Sequence, residues 1–132
     1  MSSQNIEWIS EDEIELLLSD LQKKYSGDPI NLVSYNPIGY VCGLEAVSGF
    51  YEDDVLMLAS VICRSIIQGH PLQDGNKRLG MYLANYFLEL NNFSITAGND
   101  EYVETALSIA RGEMNLETVY HWFNANSKLI RG

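Results

Sequence analysis

Two strongly apolar stretches, separated by a short polar segment, constrain this chain more than any other feature. Val55, Leu56, Leu58, Ala59, Val61, Ile62, Ile66 and Ile67 wrap nearly all the way round a helix of about four turns. Leu79, Tyr82, Leu83, Tyr86, Phe87 and Leu90 fill a second helix. A helix that is apolar on every side belongs at the centre of a protein. The pattern therefore predicts two buried central helices joined by the polar loop between them. Asp53 or Asp54 caps the first. It stops near Gly69, because His70 precedes Pro71 and is pushed out of the helical region. The second starts at Gly75 or Asn76.

The remaining segments read as helices packed around this pair. Ser10 with Glu13 three residues later is a capping box. It opens a helix whose apolar residues are Leu16, Leu17, Leu18 and Leu21 and which Gly27 ends. Residues 28–43 hold Pro29, Pro37, Gly39 and Gly43 and read as a loop-rich connector, with a small hairpin in 30–43 as an open alternative. Its tyrosines, Tyr35 and Tyr40, either line a cleft or pack. A short helix over 44–47 follows. Two amphipathic helices are predicted over 99–111, capped by Asn99 or Asp100, and over 115–128, capped by Asn115. No segment alternates with period two, so the expected fold is all-α, a compact single-domain bundle over residues 1–132.

The charge balance limits the partners. With 18 acidic and 8 basic residues the net charge is -10. Nucleic-acid binding needs a basic surface that displaces counterions, and an anionic membrane surface needs the same. Neither partner is expected. Cys42 and Cys63 lack metal-type spacing, and Cys63 sits in an apolar run as a small hydrophobe. The first seven residues have no basic region leading into an apolar one, and no apolar run approaches a membrane span. A reducing cytoplasmic location is expected.

The loop between the central helices carries the chemistry. It reads His70-Pro71-Leu72-Gln73-Asp74-Gly75-Asn76-Lys77-Arg78. Taken singly, His70 is a helix C-cap, Asp74 an N-cap, and Lys77 and Arg78 solvated surface. Together they supply what phosphoryl transfer needs: a base, a metal ligand and a cationic cradle. Gly75 and Asn76 open a helix whose first N–H groups are unpaired and whose dipole favours anions. Gly75 lets a ligand approach the backbone. Lys77 and Arg78 add full charges, and Arg78 can fork onto two phosphate oxygens. Asp74 is a hard oxygen ligand for Mg²⁺ shared with phosphates. His70 can take a proton from a hydroxyl near neutral pH. His121, in Tyr120-His121-Trp122-Phe123, has no such company and reads as a packing or surface residue.

Residues 70–78 resemble the signature of the Fic/Doc superfamily, roughly His-x-Phe-x-(Asp/Glu)-Gly-Asn-(Gly/Lys)-Arg. The match covers His70, Pro71, Asp74, Gly75, Asn76, Lys77 and Arg78. Arg111-Gly112-Glu113-Met114-Asn115 is similar to a Gly-Glu turn that Doc proteins carry before their last helix. Fic adenylyltransferases usually have glycine at the position of Lys77, whereas Doc-type members have lysine. The resemblance implies a Doc-like toxin kinase that transfers the γ-phosphate of ATP, with Mg²⁺, to a hydroxyl of a protein target. The implied target is a threonine of elongation factor Tu, with arrest of translation. The implied partner is a Phd-type antitoxin acting in trans. It further implies that His70 is the base, that Asp74 holds Mg²⁺, and that Gly75 and Asn76 form the anion nest. Asn76 would also contact phosphate, and Lys77 and Arg78 would bind the phosphates.

Leu72 replaces the usual Phe, and Leu79 stands where Doc proteins often have Thr. Residues 48–53 approach the Fic self-inhibitory pattern Ser/Thr-x-x-x-Glu-Gly/Asn, but Asp53 fills the last position. The competing readings are a Fic-type adenylyltransferase and a non-catalytic interaction domain with a relic loop.

Overall fold

The computed structural model describes residues 5–24 and 31–130. Helix α1 spans Glu11–Lys24, α2 Asn36–Cys42 and α3 Leu44–Val47, followed by a 3-10 turn over Ser48–Tyr51. The central pair is α4 (Val55–Gly69) and α5 (Asn76–Leu90). Strand β1 (Phe93–Ile95), α6 (Asn99–Ala110), α7 (Leu116–Ala125) and β2 (Ser127–Leu129) complete the chain. The fold is helical, as its apolar periodicity requires.

Helix α4 is the hub. It packs on α2, α5, α6 and α7, and Leu58, Ile62, Ile66 and Ile67 are fully buried. Asp54 caps it, accepting from the N–H groups of Leu56 at 3.0 Å and Met57 at 3.3 Å. The Tyr120 hydroxyl donates to the other Asp54 oxygen at 2.9 Å, tying α7 to the start of α4. Where α4 crosses α5, a Cβ on Gly80 would lie 2.6 Å from Ile67 and 3.0 Å from the Cys63 carbonyl. Only glycine allows that approach. Cys63 is buried and reduced there, its thiol 3.3 Å from the Met81 sulfur and its pKa pushed up by burial. Helix α5 is less enclosed than α4, because Tyr82, Asn85 and Tyr86 are only half-buried and Glu89 is exposed.

Several local expectations are corrected. The buried face of α1 is Ile14, Leu17 and Leu21, whereas Leu16 is 66% exposed. Residues 16, 17 and 18 step by about 100° and cannot share one face. The capping box forms as expected, with Ser10 N–H to Glu13 at 2.8 Å and Glu13 N–H to Ser10 at 3.2 Å. Gly27 and Pro29 lie outside the described residues. The connector is not all loop: Pro37 sits in the first turn of α2, where a missing N–H costs nothing. No hairpin occurs in the described part of 30–43. Tyr35 and Tyr40 are both partly exposed, their hydroxyls bonded to Glu11 and to the Tyr51 hydroxyl.

At the C-terminal side, Gly98 rather than Asn99 or Asp100 precedes α6, and Glu101 accepts the Gly98 N–H at 3.4 Å. Helix α7 begins at its Asn115 cap but ends at Ala125, short of Lys128. The reason is β2, which pairs antiparallel with β1 through Phe93↔Leu129, Ser94↔Lys128 and Ile95↔Ser127. Three residues are too few for alternation to be seen. His121 is exposed against the Tyr120 ring.

Tyrosine–carboxylate bonds fasten α1. Tyr35 donates to Glu11, and Tyr86 of α5 donates to Glu13. The Tyr86 bond, then the Ser10 N–H, hold the Glu13 carboxyl below its usual range, and the same contact pushes the Tyr86 hydroxyl up. The depressed Glu13 value contributes stability that is fully present above the unfolded carboxyl pKa and lost as pH falls through the folded one. Tyr86→Phe should therefore lower the melting temperature at pH 7 by roughly 2–4 °C, with the gap closing at pH 3. Thermal melts at both pH values check this, and an equal gap at both would reject the assignment.

Candidate active site

The loop joins the C-terminus of α4 to the N-terminus of α5 and is braced along its length. Helix α4 ends because His70 turns left-handed, at φ 50° and ψ 59°, with its N–H on the Ile66 carbonyl at 3.1 Å. Histidine reaches that region at some cost, of order 1 kcal/mol. Gly69 sits just before it, and a Cβ there would come within 2.5 Å of the Pro37 ring. The next residues are stitched to segment 31–34. The Pro71 carbonyl accepts from Val33 N–H at 2.8 Å and Ser34 N–H at 3.1 Å. The Gln73 N–H donates to the Asn31 carbonyl at 2.9 Å, and the Asn31 amide to the Gln73 side chain at 2.9 Å. Leu32 and Leu72 thereby form an isolated antiparallel bridge.

Leu72 is 2% exposed and anchors the loop in the apolar core. Its backbone is held from both sides by one residue. The Asn76 side-chain oxygen accepts the Leu72 N–H at 2.8 Å, and its amide donates to the Leu72 carbonyl at 2.9 Å. The Asn76 amide, expected at a phosphate, is thus directed into the loop, and its backbone N–H is what it offers the nest.

The nest itself is open. Gly75 precedes α5 at φ 94°, a left-handed conformation that favours glycine. No side chain caps the helix, so the N–H groups of its first turn face outward. The Arg78 guanidinium folds back toward them: a Cβ on Gly75 would lie 3.3 Å from Arg78 Nη2. Glycine is therefore required twice, for its backbone angle and for the guanidinium beside it. Lys77 is exposed on the same first turn. Asp74 is exposed, one carboxylate oxygen accepting the Gly75 N–H at 2.9 Å. His70, Asp74, Gly75, Asn76, Lys77 and Arg78 are all brought to this one end of the α4–α5 pair. A cavity of about 420 Å³ opens beyond Lys77 and Arg78, between α1, α5 and α6.

Among the described residues, no cluster of three or more His, Cys, Asp or Glu side chains is arranged to hold a metal ion. Asp74 is a lone carboxylate next to an anion site. That fits Mg²⁺, which is commonly held by one or two carboxylates plus substrate phosphates. The self-inhibitory pattern at residues 48–53 lies at the opposite end of α4, about 22 Å from His70 along that helix. Its glutamate, Glu52, is left-handed at φ 56° in the turn before α4.

Segment 31–34 was not singled out from sequence. Nothing in Asn31-Leu32-Val33-Ser34 signals that it braces a loop some 40 residues away. The links between α4 and the end of α6 were equally silent: Arg64 donates to the Met114 carbonyl at 3.2 Å and Gln68 to the Ile109 carbonyl at 3.1 Å.

A histidine and a glycine-led, uncapped helix N-terminus thus stand together at the junction of two core helices. The sequence pattern of the Fic/DOC family matches residues 9–88, from the start of α1 through most of α5, and the chain belongs to that family. Its members are generally enzymes that transfer nucleotide-derived groups to proteins, with ATP as the usual donor. No curated protein matches the chain. No helix among the described residues is long and apolar enough to cross a membrane.

Proposed function

We propose that this chain is a Doc-like protein kinase that transfers the γ-phosphate of ATP to a threonine or serine hydroxyl of a protein target. The observation that carries the reading is the first turn of α5, where Lys77 and Arg78 stand at an uncapped, glycine-led helix N-terminus. The nest alone accepts any phosphate. Lys77 makes the difference, because its bulk crowds a phosphate that still carries a nucleoside, while its charge suits a terminal one. His70 takes the proton of the target hydroxyl. That oxygen bonds to the γ-phosphorus, the bond to the β,γ-bridging oxygen breaks, and ADP leaves. Asp74 would hold Mg²⁺, which supplies charge neutralisation across the phosphates.

The exposed Leu32 and Val33 border the loop next to His70 and suit an extended segment of a target. By resemblance to Doc, the target is elongation factor Tu, the outcome is arrested translation, and control comes from a Phd-type antitoxin in trans. The remote position of residues 48–53 supports control by a separate chain.

Incubation with ATP labelled on the α- or the γ-phosphate tests the reaction. Label from the γ-position alone should reach protein, with ADP as by-product. Lys77→Gly should lower that transfer by roughly 10–10²-fold, since it removes a charge aimed at the transferred group. A target carrying AMP, with pyrophosphate released by the unmutated protein, would overturn the reading in favour of adenylyl transfer.

A further inference from the structure

The first turn of α1 carries three carboxylates in a row, Glu11, Asp12 and Glu13. Glu11 and Glu13 leave the helix in different directions, because residues two apart are turned by about 200°. Glu13 accepts from the Tyr86 hydroxyl on α5, the helix whose N-terminus forms the nest. Glu11 accepts from the Tyr35 hydroxyl. The same turn therefore grips the nest helix on one side and the start of α2 on the other.

Tyr35 stands where a helix start favours Ser, Thr, Asn or Asp, yet its side chain caps nothing. What tyrosine offers at that position is reach. Its ring lies along α2, where a Cβ on Gly39 would come within 3.2 Å of it, and glycine leaves that room. A residue that breaks a local rule without a return to its own helix marks a position retained for another purpose. Tyr35 directly follows the segment that braces the catalytic loop. The Val33 and Ser34 N–H groups donate to the Pro71 carbonyl at 2.8 Å and 3.1 Å. Asn31 holds Gln73 twice, through its carbonyl and through its amide, both at 2.9 Å. Two residues beyond Tyr35, Pro37 meets Gly69, the residue before His70. Contacts thus run without a gap from α5 through Glu13, α1, Glu11 and Tyr35 to the residues next to His70.

We infer that Tyr35 and Glu11 are positioning residues for the transfer reaction: their bond closes a bracket that holds the His70 end of the loop at a fixed distance from the α5 N-terminus. The inference rests on the kinase reading proposed above and adds to it two residues outside the loop. Asn76 clamps the loop from within, at Leu72, and the bracket holds it from outside, at Pro71 and Gln73. A reacting group displaced by about an ångström loses much of its effect, so both restraints bear on rate.

Amide exchange and label transfer, both on the whole chain, test this. Tyr35→Phe and Glu11→Ala should each speed exchange of the Val33, Ser34 and Gln73 N–H groups roughly tenfold, the weight of one hydrogen bond to a charged group. Exchange in the buried turns of α4 should stay as it is, which shows the fold intact. With γ-labelled ATP and a bacterial lysate as acceptor, both variants should transfer label roughly tenfold more slowly at saturating ATP. Their affinity for inorganic tripolyphosphate, the probe of the nest alone, should be unchanged. Glu11→Gln keeps an acceptor oxygen and should restore most of the rate. The double variant should be no slower than either single one, because both remove the same bond. Tyr40→Phe removes a hydroxyl bond to Tyr51 toward the far end of α2, and should change neither exchange nor transfer. Unchanged exchange at Val33, Ser34 and Gln73 would overturn the inference. So would faster exchange with undiminished transfer, a matching loss of tripolyphosphate affinity, or the same effects from Tyr40→Phe. Absence of label transfer by the unmutated protein would overturn the kinase reading itself, and the inference with it.

Discussion

Removal of the His70 imidazole should abolish transfer to protein while nucleotide binding persists. The loss expected for a positioned base is about 10²–10⁴-fold in turnover. The left-handed backbone at His70 decides which substitution tests this cleanly. Alanine tolerates φ near 50° poorly and would add backbone strain to the chemical loss. Asparagine visits that region readily and has no comparable basicity. His70→Asn should therefore keep the melting temperature and lose the activity, and His70→Ala should lose activity with a slightly lower melting temperature. In bacteria, expression of the unmutated chain should arrest growth and expression of His70→Asn should not. Near-normal turnover by His70→Asn would remove His70 from the mechanism.

Asn76→Asp should cost at least about 10²-fold in kcat/KM, the scale expected when a reacting group is displaced by about an ångström. The asparagine serves Leu72 in both directions, as acceptor at 2.8 Å and donor at 2.9 Å. Aspartate keeps the first bond and converts the second into two oxygens facing each other. The loop between His70 and Asn76 then loses the clamp that sets its width. The new carboxylate also stands at the helix N-terminus and competes with the phosphate for the same N–H groups. Asn76→Ala removes the clamp without adding charge, so the two variants separate the contributions. If Asn76 acts through position, Asn76→Ala lowers kcat with little change in tripolyphosphate affinity, and Asn76→Asp lowers both. A variant with aspartate that turns over normally would refute the clamp.

Much of this architecture was legible because it is local. The ends of α4 follow from Asp54 as cap and from Pro71 after His70, and the apolar wrapping of α4 marks it as the hub. The nest follows from glycine and asparagine at a helix start. Other features depend on contacts distant in sequence. The bracing of Pro71 and Gln73 by residues 31–34 leaves no pattern in either segment. The turn of the Asn76 amide toward Leu72 is equally hidden, since the residue type suits a phosphate as well as a carbonyl. The two short strands lie below the length at which alternation shows, and their pairing set the end of α7. Pro37 was read as a break although the first turn of a helix is where proline fits best.

The position of the catalytic loop also bears on the order in which the molecule assembles. It closes a hairpin of two helices that are consecutive in sequence and form the heart of the core. Contacts between such neighbours are short in sequence separation and form early, before the ends of the chain have been gathered. The β1–β2 pair, by contrast, joins Phe93 to Leu129 and must wait for α6 and α7 to fold between them. Docking of α4 on α5 is also what brings His70 opposite the α5 N-terminus. The placement of His70 beside the α5 N-terminus therefore rests on contacts that are local in sequence.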